Sequence, residues 1–254
     1  MTATRVDLNS DVGESYGAWS FGDDLALLDV VTSANVACGF HAGDPRTIER
    51  TVAAAAERGV VVGAQVSYPD LVGFGRRDMD VAPADLTADV LYQLGALEGF
   101  ARVAGTSVRY VKPHGALYNR CVVDDVQARA VVQAVKLYDR ALPVLTLPGS
   151  ALARAARAAG VSVVAEGFAD RAYTAAGHLV PRREPGAVVV DEVEVVARAV
   201  RMVDQGRVAA HGGGEVEIGV QSLCVHGDTP GAARLARAVR EGLEAAGLTL
   251  QAFA

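Results

Sequence analysis

The chain has 254 residues, 51% of them hydrophobic, and a formal net charge of −6. That is enough apolar material for a large core, and an acidic balance with scattered Lys and Arg argues against a nucleic-acid or anionic-membrane partner. Cys38, Cys121 and Cys224 are too few and too irregularly spaced for a disulfide framework, which fits a reducing compartment. The first residues carry no basic-then-apolar leader, and no apolar run approaches the roughly 18 residues of a membrane span, so a soluble cytoplasmic protein is expected.

Short β-branched runs alternate with stretches of helical periodicity. A strand at 6–9 is followed by a second at 31–38, after which Ile48, Val52 and Ala55 mark a helix face. A third strand at 60–66 precedes a helix carried by Leu86, Val90, Leu94, Leu97 and Ala101. A fourth strand, 108–112, leads to a helix marked by Val126, Ala130, Ala134 and Leu137. Strands at 143–147 and 161–165 follow, then a helix with Val193, Val196, Val200 and Val203 on one face. The last strand is 222–225, and Leu235, Ala238 and Val239 lie on the final helix. Gly59, Gly105, Gly160 and Gly206 sit where left-handed C-caps belong. Asp44-Pro45 and Thr229-Pro230 read as an N-cap followed by proline at the first helical position. The order strand, helix, strand implies parallel strands. An open doubly wound sheet would give the same string, but seven or eight units in 254 residues favour a closed or nearly closed barrel. No linker-like segment splits the chain, so a single domain over 1–254 is expected, with HGGGEVEIG (211–219) as a surface turn or hairpin.

In parallel α/β folds ligands bind beyond the carboxyl ends of the strands. There the sequence places Asn9, Asp11 and Glu14 after the first strand, and His41 and Asp44 after the second. Gln65 and Asp70 follow the third strand, and Lys112 and His114 close the fourth. Glu166, Asp170 and Arg171 follow the sixth, and His226 and Asp228 the last. Three of the five histidines thus stand at strand ends beside glycine, with acids nearby, which points to a functional site. Asp44 and Asp228 also suit plain helix capping. His178 and His211 lie in loop-like surroundings and read as solvated. Arg76 and Arg77, in GFGRR, could clamp a carboxylate or phosphate or belong to an exposed loop. Lys112, following apolar Val111 at a strand's end, could stabilise developing negative charge. No Walker loop, GxGxxG, GxSxG, HExxH or CxxC spacing is present.

Seven blocks carry a resemblance: DLNSDVGESYGAW (7–19), TSANVACGFHAGDP (32–45), SYPDLVGFGRR (67–77), VKPHGALYN (111–119), GFADRAY (167–173), LVPRREPGA (179–187) and CVHGDTPGA (224–232). In this order they closely resemble the LamB/YcsF family, also known as the family of 5-oxoprolinase A subunits. The resemblance implies a distorted (β/α)7 TIM-like barrel related to the glycoside hydrolase and deacetylase superfamily. It also implies ATP-dependent opening of the 5-oxoproline lactam to glutamate, together with partner subunits B and C. One departure stands out: where the family usually reads GAHPSYPD, this chain has Gln65 and Val66. Ser10 stands where cysteine is common. Related deacetylases hold a metal with an Asp and two His. Carried over by position, Asp11 and His41 remain and the third ligand is gone, so no bound transition metal is expected, and magnesium would enter with ATP.

The reaction expected from the resemblance has ATP phosphorylate the amide oxygen and water attack the ring carbon. Asp11 or Glu14 would be the base, His41, His114 and His226 would shuttle protons or orient substrate, and Lys112 would face the phosphate or oxyanion. Arg76 or Arg77 would take the substrate carboxylate, with Asn9, Gln65, Asp70 and Asp228 as further substrate contacts. Lys112→Met is expected to abolish activity without unfolding the chain. Two alternatives share the site: a metal-dependent deacetylase or amidohydrolase acting alone, and a non-catalytic substrate-binding subunit of a larger complex.

Overall fold

The computed structural model describes residues 5–226 and 231–254. The chain opens with β1 (Arg5–Val12), α1 (Asp24–Leu28), β2 (Ser33–Ala37), α2 (Pro45–Glu57), β3 (Val61–Val66) and α3 (Pro83–Val103). It continues with β4 (Val108–Pro113), two consecutive helices α4 (Gly115–Val123) and α5 (Asp125–Asp139), then β5 (Val144–Thr146), α6 (Ala151–Ala158) and β6 (Val163–Phe168). After a long excursion come α7 (Glu192–Asp204), the hairpin strands β7 (Arg207–Ala209) and β8 (Glu215–Glu217), then β9 (Ser222–Val225), α8 (Ala232–Ala245) and β10 (Thr249–Leu250).

β1 to β6 pair in chain order, all parallel, and β9 pairs with both β6 and β1, which closes a seven-stave barrel. These staves are the seven expected strands with shifted ends. β1 runs three residues further than 6–9, because Asp11 and Val12 stay in register with Asn35 and Val36 of β2. β10 adds outside the barrel, beside the start of β1. The glycine-rich 211–219 segment does belong to a hairpin: residues 211–214 make the turn and β8 follows within the segment, antiparallel to β7.

Helix ends follow the sequence signals. Gly59, Gly105, Gly160 and Gly206 all have positive φ, between 65° and 74°. Asp44 caps α2, accepting from the N–H groups of Arg46 and Thr47, with Pro45 at the first helical position. Thr229-Pro230 lies outside the described residues. All five residues expected to line α3 are buried. Two helix faces differ from expectation. On α5, Val126 and Leu137 are exposed, while Ala128, Val131, Val132 and Val135 are buried with Ala130 and Ala134. On α7, Val193 is exposed and Val195, Ala199 and Met202 are buried. Both helices carry apolar residues around much of their circumference, and which stripe is covered depends on the neighbours: α3 and α6 for α5, and α8 for α7.

Candidate active site

Alternation along β1 turns Asp7, Asn9 and Asp11 to one side. Their partners identify that side as the barrel interior. Lys112 on β4 reaches Asn9 Oδ1 at 3.3 Å and Asp11 Oδ1 at 3.1 Å, although β2 and β3 stand between the two staves. The interior is therefore layered and polar for much of its depth.

At the bottom, Asp7 accepts hydrogen bonds from Thr32 Oγ1 and Ser33 Oγ, each 2.6 Å, and from Ser222 Oγ. Burial pushes its carboxyl up to about 6, against the pull of the three hydroxyls. In the next layer Asn35 Nδ2 donates to Asn9 Oδ1 (2.7 Å) and Asp11 Oδ1 (2.8 Å), and the Tyr110 hydroxyl donates to Asn35 Oδ1 (2.6 Å). Gly63 makes room for that ring: a Cβ there would lie 2.1 Å from Tyr110 Cζ.

Above this, buried Lys112 sits between Asp11 and Glu166, with Nζ 2.8 Å from Glu166 Oε1, 3.2 Å from Cys224 Sγ and over the Phe168 ring. Tyr118 donates to Glu166 Oε2 at 2.9 Å. Burial opposes the charges here, but Asp11 and Glu166 hold the Lys112 ammonium well above its usual range. The two carboxyls respond in opposite directions. Burial disfavours charge on Asp11, yet Lys112 overcomes it and holds the group below the usual carboxylate range. Burial raises Glu166, and Lys112 only partly offsets this. One lysine does not neutralise two buried carboxylates, so a proton taken up by the cluster sits on Glu166.

At the mouth, three strand ends bring Glu14, His41 and His114 together. Glu14 Oε1 is 3.7 Å from His41 Nε2 and 3.6 Å from His114 Nε2, and the two imidazoles stack with centroids 4.0 Å apart. Gln65 ties this group: its Oε1 lies 3.2 Å from His41 Nε2 and its Nε2 donates to Glu14 Oε1 at 3.1 Å. Burial, and then the His41 ring beside it, keep His114 well below the usual imidazole range, so it is neutral at pH 7. On another side of the mouth, His226 Nδ1 lies 2.8 Å from Asp170 Oδ2, and its ring stacks on Phe168. Burial raises the Asp170 carboxyl, but His226 outweighs it and the net shift is downward.

Asn9, Asp11, Glu14, His41, Gln65, Lys112, His114 and His226 thus share one barrel interior. Asp70 and Arg77 are turned to each other: the carboxylate accepts from Arg77 Nε and from the N–H groups of Gly73 and Arg77, which pins the loop after β3. Arg76 is exposed, with its guanidinium over Phe74. Asp228 lies outside the described residues. His178 and His211 are exposed, as expected. Arg171 is buried and spends its guanidinium on the carbonyls of Val180 and Ala187, which organises the excursion after β6.

Two expectations change. Lys112 is enclosed by carboxylates and does not present a free charge to a phosphate. The metal ligands carried over by resemblance, Asp11 and His41, do not form one group; among the described residues the set with mutually close ligand atoms is Glu14, His41 and His114, all within 4.8 Å. The sequence placed Glu166 and Asp170 at a strand end without a specific role, and it did not single out Asp7, Asn35, Tyr110, Tyr118 or Cys224 for the site. The signal was present for Asn35 and Tyr110, each in the middle of an expected strand.

The LamB/YcsF family model matches residues 6–254. A protein from Streptomyces avermitilis, named as the A subunit of 5-oxoprolinase, is 62% identical over 249 residues, covering 98% of this chain and 100% of that protein. One of the same name from Streptomyces coelicolor is 61% identical with the same coverage. The crystal structure of a lactam utilization protein from Thermus thermophilus superposes with a TM-score of 0.94 at 49% identity, covering 98% of this chain and 100% of that one. A family 4 carbohydrate esterase from Streptomyces lividans shares the fold alone, with a TM-score of 0.52 at 12% identity, covering 99% of this chain and 93% of the esterase. On a match that runs from the first stave of the barrel to its last residue, this chain belongs to the LamB/YcsF family.

Proposed function

We propose that this chain is the lactam-opening A subunit of an ATP-dependent 5-oxoprolinase that works with two further subunits, B and C. The observation that carries the reading is full-length likeness to proteins named as 5-oxoprolinase A subunits. The acid and imidazole groups of the barrel mouth are suited to the chemistry. A lactam is a stabilised amide, so its oxygen is first phosphorylated by ATP. Water then adds to the ring carbon. The carbon–nitrogen bond breaks with its electron pair going to nitrogen, which takes a proton. The γ-carboxyl phosphate so formed is hydrolysed by a second water to glutamate and phosphate.

Glu14, flanked by His41 and His114, is the base that activates water. Asp11 is a weak base because Lys112 stabilises its charged form, so its part is to hold Lys112 in place. His226, oriented by Asp170 through Nδ1, offers Nε2 to protonate the departing nitrogen. Arg76 supplies positive charge at the rim for the substrate carboxylate. The chain has no phosphate-loop motif, which fits a nucleotide site, with its magnesium, that is completed in the assembled complex. The test is glutamate release from 5-oxoproline, with and without ATP, by this chain alone and mixed with B and C. ATP-dependent glutamate in the mixture alone is expected. No turnover in a mixture shown to assemble overturns the reading, and ATP-independent turnover by the chain alone would favour a metal-dependent amide hydrolase.

A further inference from the structure

We propose that Glu14, His41 and His114 form a binding site for one divalent transition-metal ion of the zinc class. The site rests on geometry alone: a Glu14 that ligates the ion gives up the part of free base assigned to it above, and the set replaces the Asp11-containing one that resemblance alone would carry over. Three observations support it.

The first is convergence. The three side chains come from the ends of β1, β2 and β4, and Glu14 Oε1 stands 3.6–3.7 Å from both Nε2 atoms. Ligands on a tetrahedral zinc at about 2.0–2.1 Å are separated by roughly 3.4 Å, so the Glu14–Nε2 separations are near those of a bound ion, and the stacked rings must turn out of parallel for both nitrogens to face it. Two imidazoles and one carboxylate suit zinc or cobalt, whereas magnesium and calcium favour all-oxygen sets.

The second is the hydrogen-bond account of the imidazoles. Both rings are buried, and among the described residues Nδ1 of each has no hydrogen-bond partner. No hydrogen bond at Nδ1 therefore locks either ring into the stack, which leaves the rings free to turn their Nε2 atoms to an ion.

The third is enclosure. Phe74 meets both imidazoles edge-on, at 5.8 and 5.4 Å. Gly75 lets its loop press onto them: a Cβ there would lie 2.9 Å from His114 Nδ1, and one at Gly115 would lie 2.3 Å from Gly75 O. The rings are thereby confined beside Glu14. Gln65 modulates the site. Its Oε1 accepts from His41 Nε2 when that nitrogen carries the proton, so a metal at Nε2 must shift the proton to Nδ1 and release the amide. Gln65 thus competes with the metal for His41, and Gln65→Ala should tighten binding.

The experiment uses the full chain, stripped with chelator and titrated with zinc or cobalt(II). One equivalent of metal and the visible absorption of tetrahedral cobalt are expected. His41→Ala and Glu14→Gln, checked for folding by circular dichroism, should each weaken binding at least tenfold. Absence of stoichiometric metal on the wild-type chain overturns the proposal, whether or not the variants fold. So does wild-type affinity in both folded variants. Since the readout is metal and not turnover, its failure and that of the 5-oxoprolinase reading are distinguishable.

Discussion

Replacing Lys112 with methionine tests the layered interior directly. The side chain is 3% exposed and lies 3.1 Å from Asp11 and 2.8 Å from Glu166. Methionine fills similar volume but leaves two buried carboxylates without their cation. Removing one partner of a buried pair costs about 3–5 kcal/mol, which for a chain of this size is a fall in Tm of roughly 6–20 °C. The pH dependence fixes the cause. In the wild type, Asp11 is depressed below its unfolded value, so it contributes stability above the unfolded pKa that is lost as pH falls. Without Lys112, burial raises both carboxyls above their unfolded values, and each costs more stability as pH rises from about 4. The deficit of Lys112→Met should therefore be largest at pH 8 and shrink towards pH 5. Urea unfolding followed by far-UV circular dichroism measures it, since the single tryptophan, Trp19, is 64% exposed and a poor fluorescence probe. A deficit below about 1 kcal/mol at pH 8, or one that does not shrink at pH 5, would refute the buried ion cluster. This also revises the expectation that the substitution leaves the fold undisturbed.

Asp7 gives a second pH signature. With its folded carboxyl at about 6 and an unfolded value near 3.9, the folded state binds the extra proton, so stability falls as pH rises through that window, by up to about 3 kcal/mol. Asp7→Asn should flatten the slope of unfolding free energy between pH 4 and 7, and an unchanged slope would count against burial as the cause. Asp44→Ala should cost about 1–2 kcal/mol through loss of the α2 cap, with Asp44→Asn costing less than half of that in the same urea titration. Gly75→Ala puts a Cβ 2.4 Å from Ser67 Oγ at φ +67°. It should cost about 1–3 kcal/mol and shift the His41 and His114 imidazole NMR signals, whereas wild-type spectra would show that the loop does not press on the rings. Asp170→Asn should lower kcat of the assembled complex more than it changes KM and displace the pH–rate profile, and an unaltered profile would remove Asp170 as the group that orients His226.

How much of the site was legible follows from what periodicity can report. Glu14, His41, His114 and His226 stand close to glycine at strand ends, and that placement alone marked them as candidates for a site at the barrel mouth. Asp7, Asn35 and Glu166 belong to the barrel interior, where a polar side chain is stable only with partners from other staves, and those partners are 24 to 215 positions away. Asp70 and Arg77 show the converse. Both sit at a strand end with suitable chemistry, yet they satisfy each other across seven positions.

The sequence alone determined the seven staves, their parallel order, the glycine C-caps and the Asp44 cap, because these depend on local periodicity and on backbone preferences that act over a few residues. Only the tertiary structure decided which carboxylate meets which cation. Closure of the barrel brings Lys112 between Asp11 and Glu166, and brings Glu14 rather than Asp11 to the imidazoles. The reason is physical: the net charge and proton affinity of a buried group are set by distances to atoms on other staves, and no one-dimensional spacing encodes them.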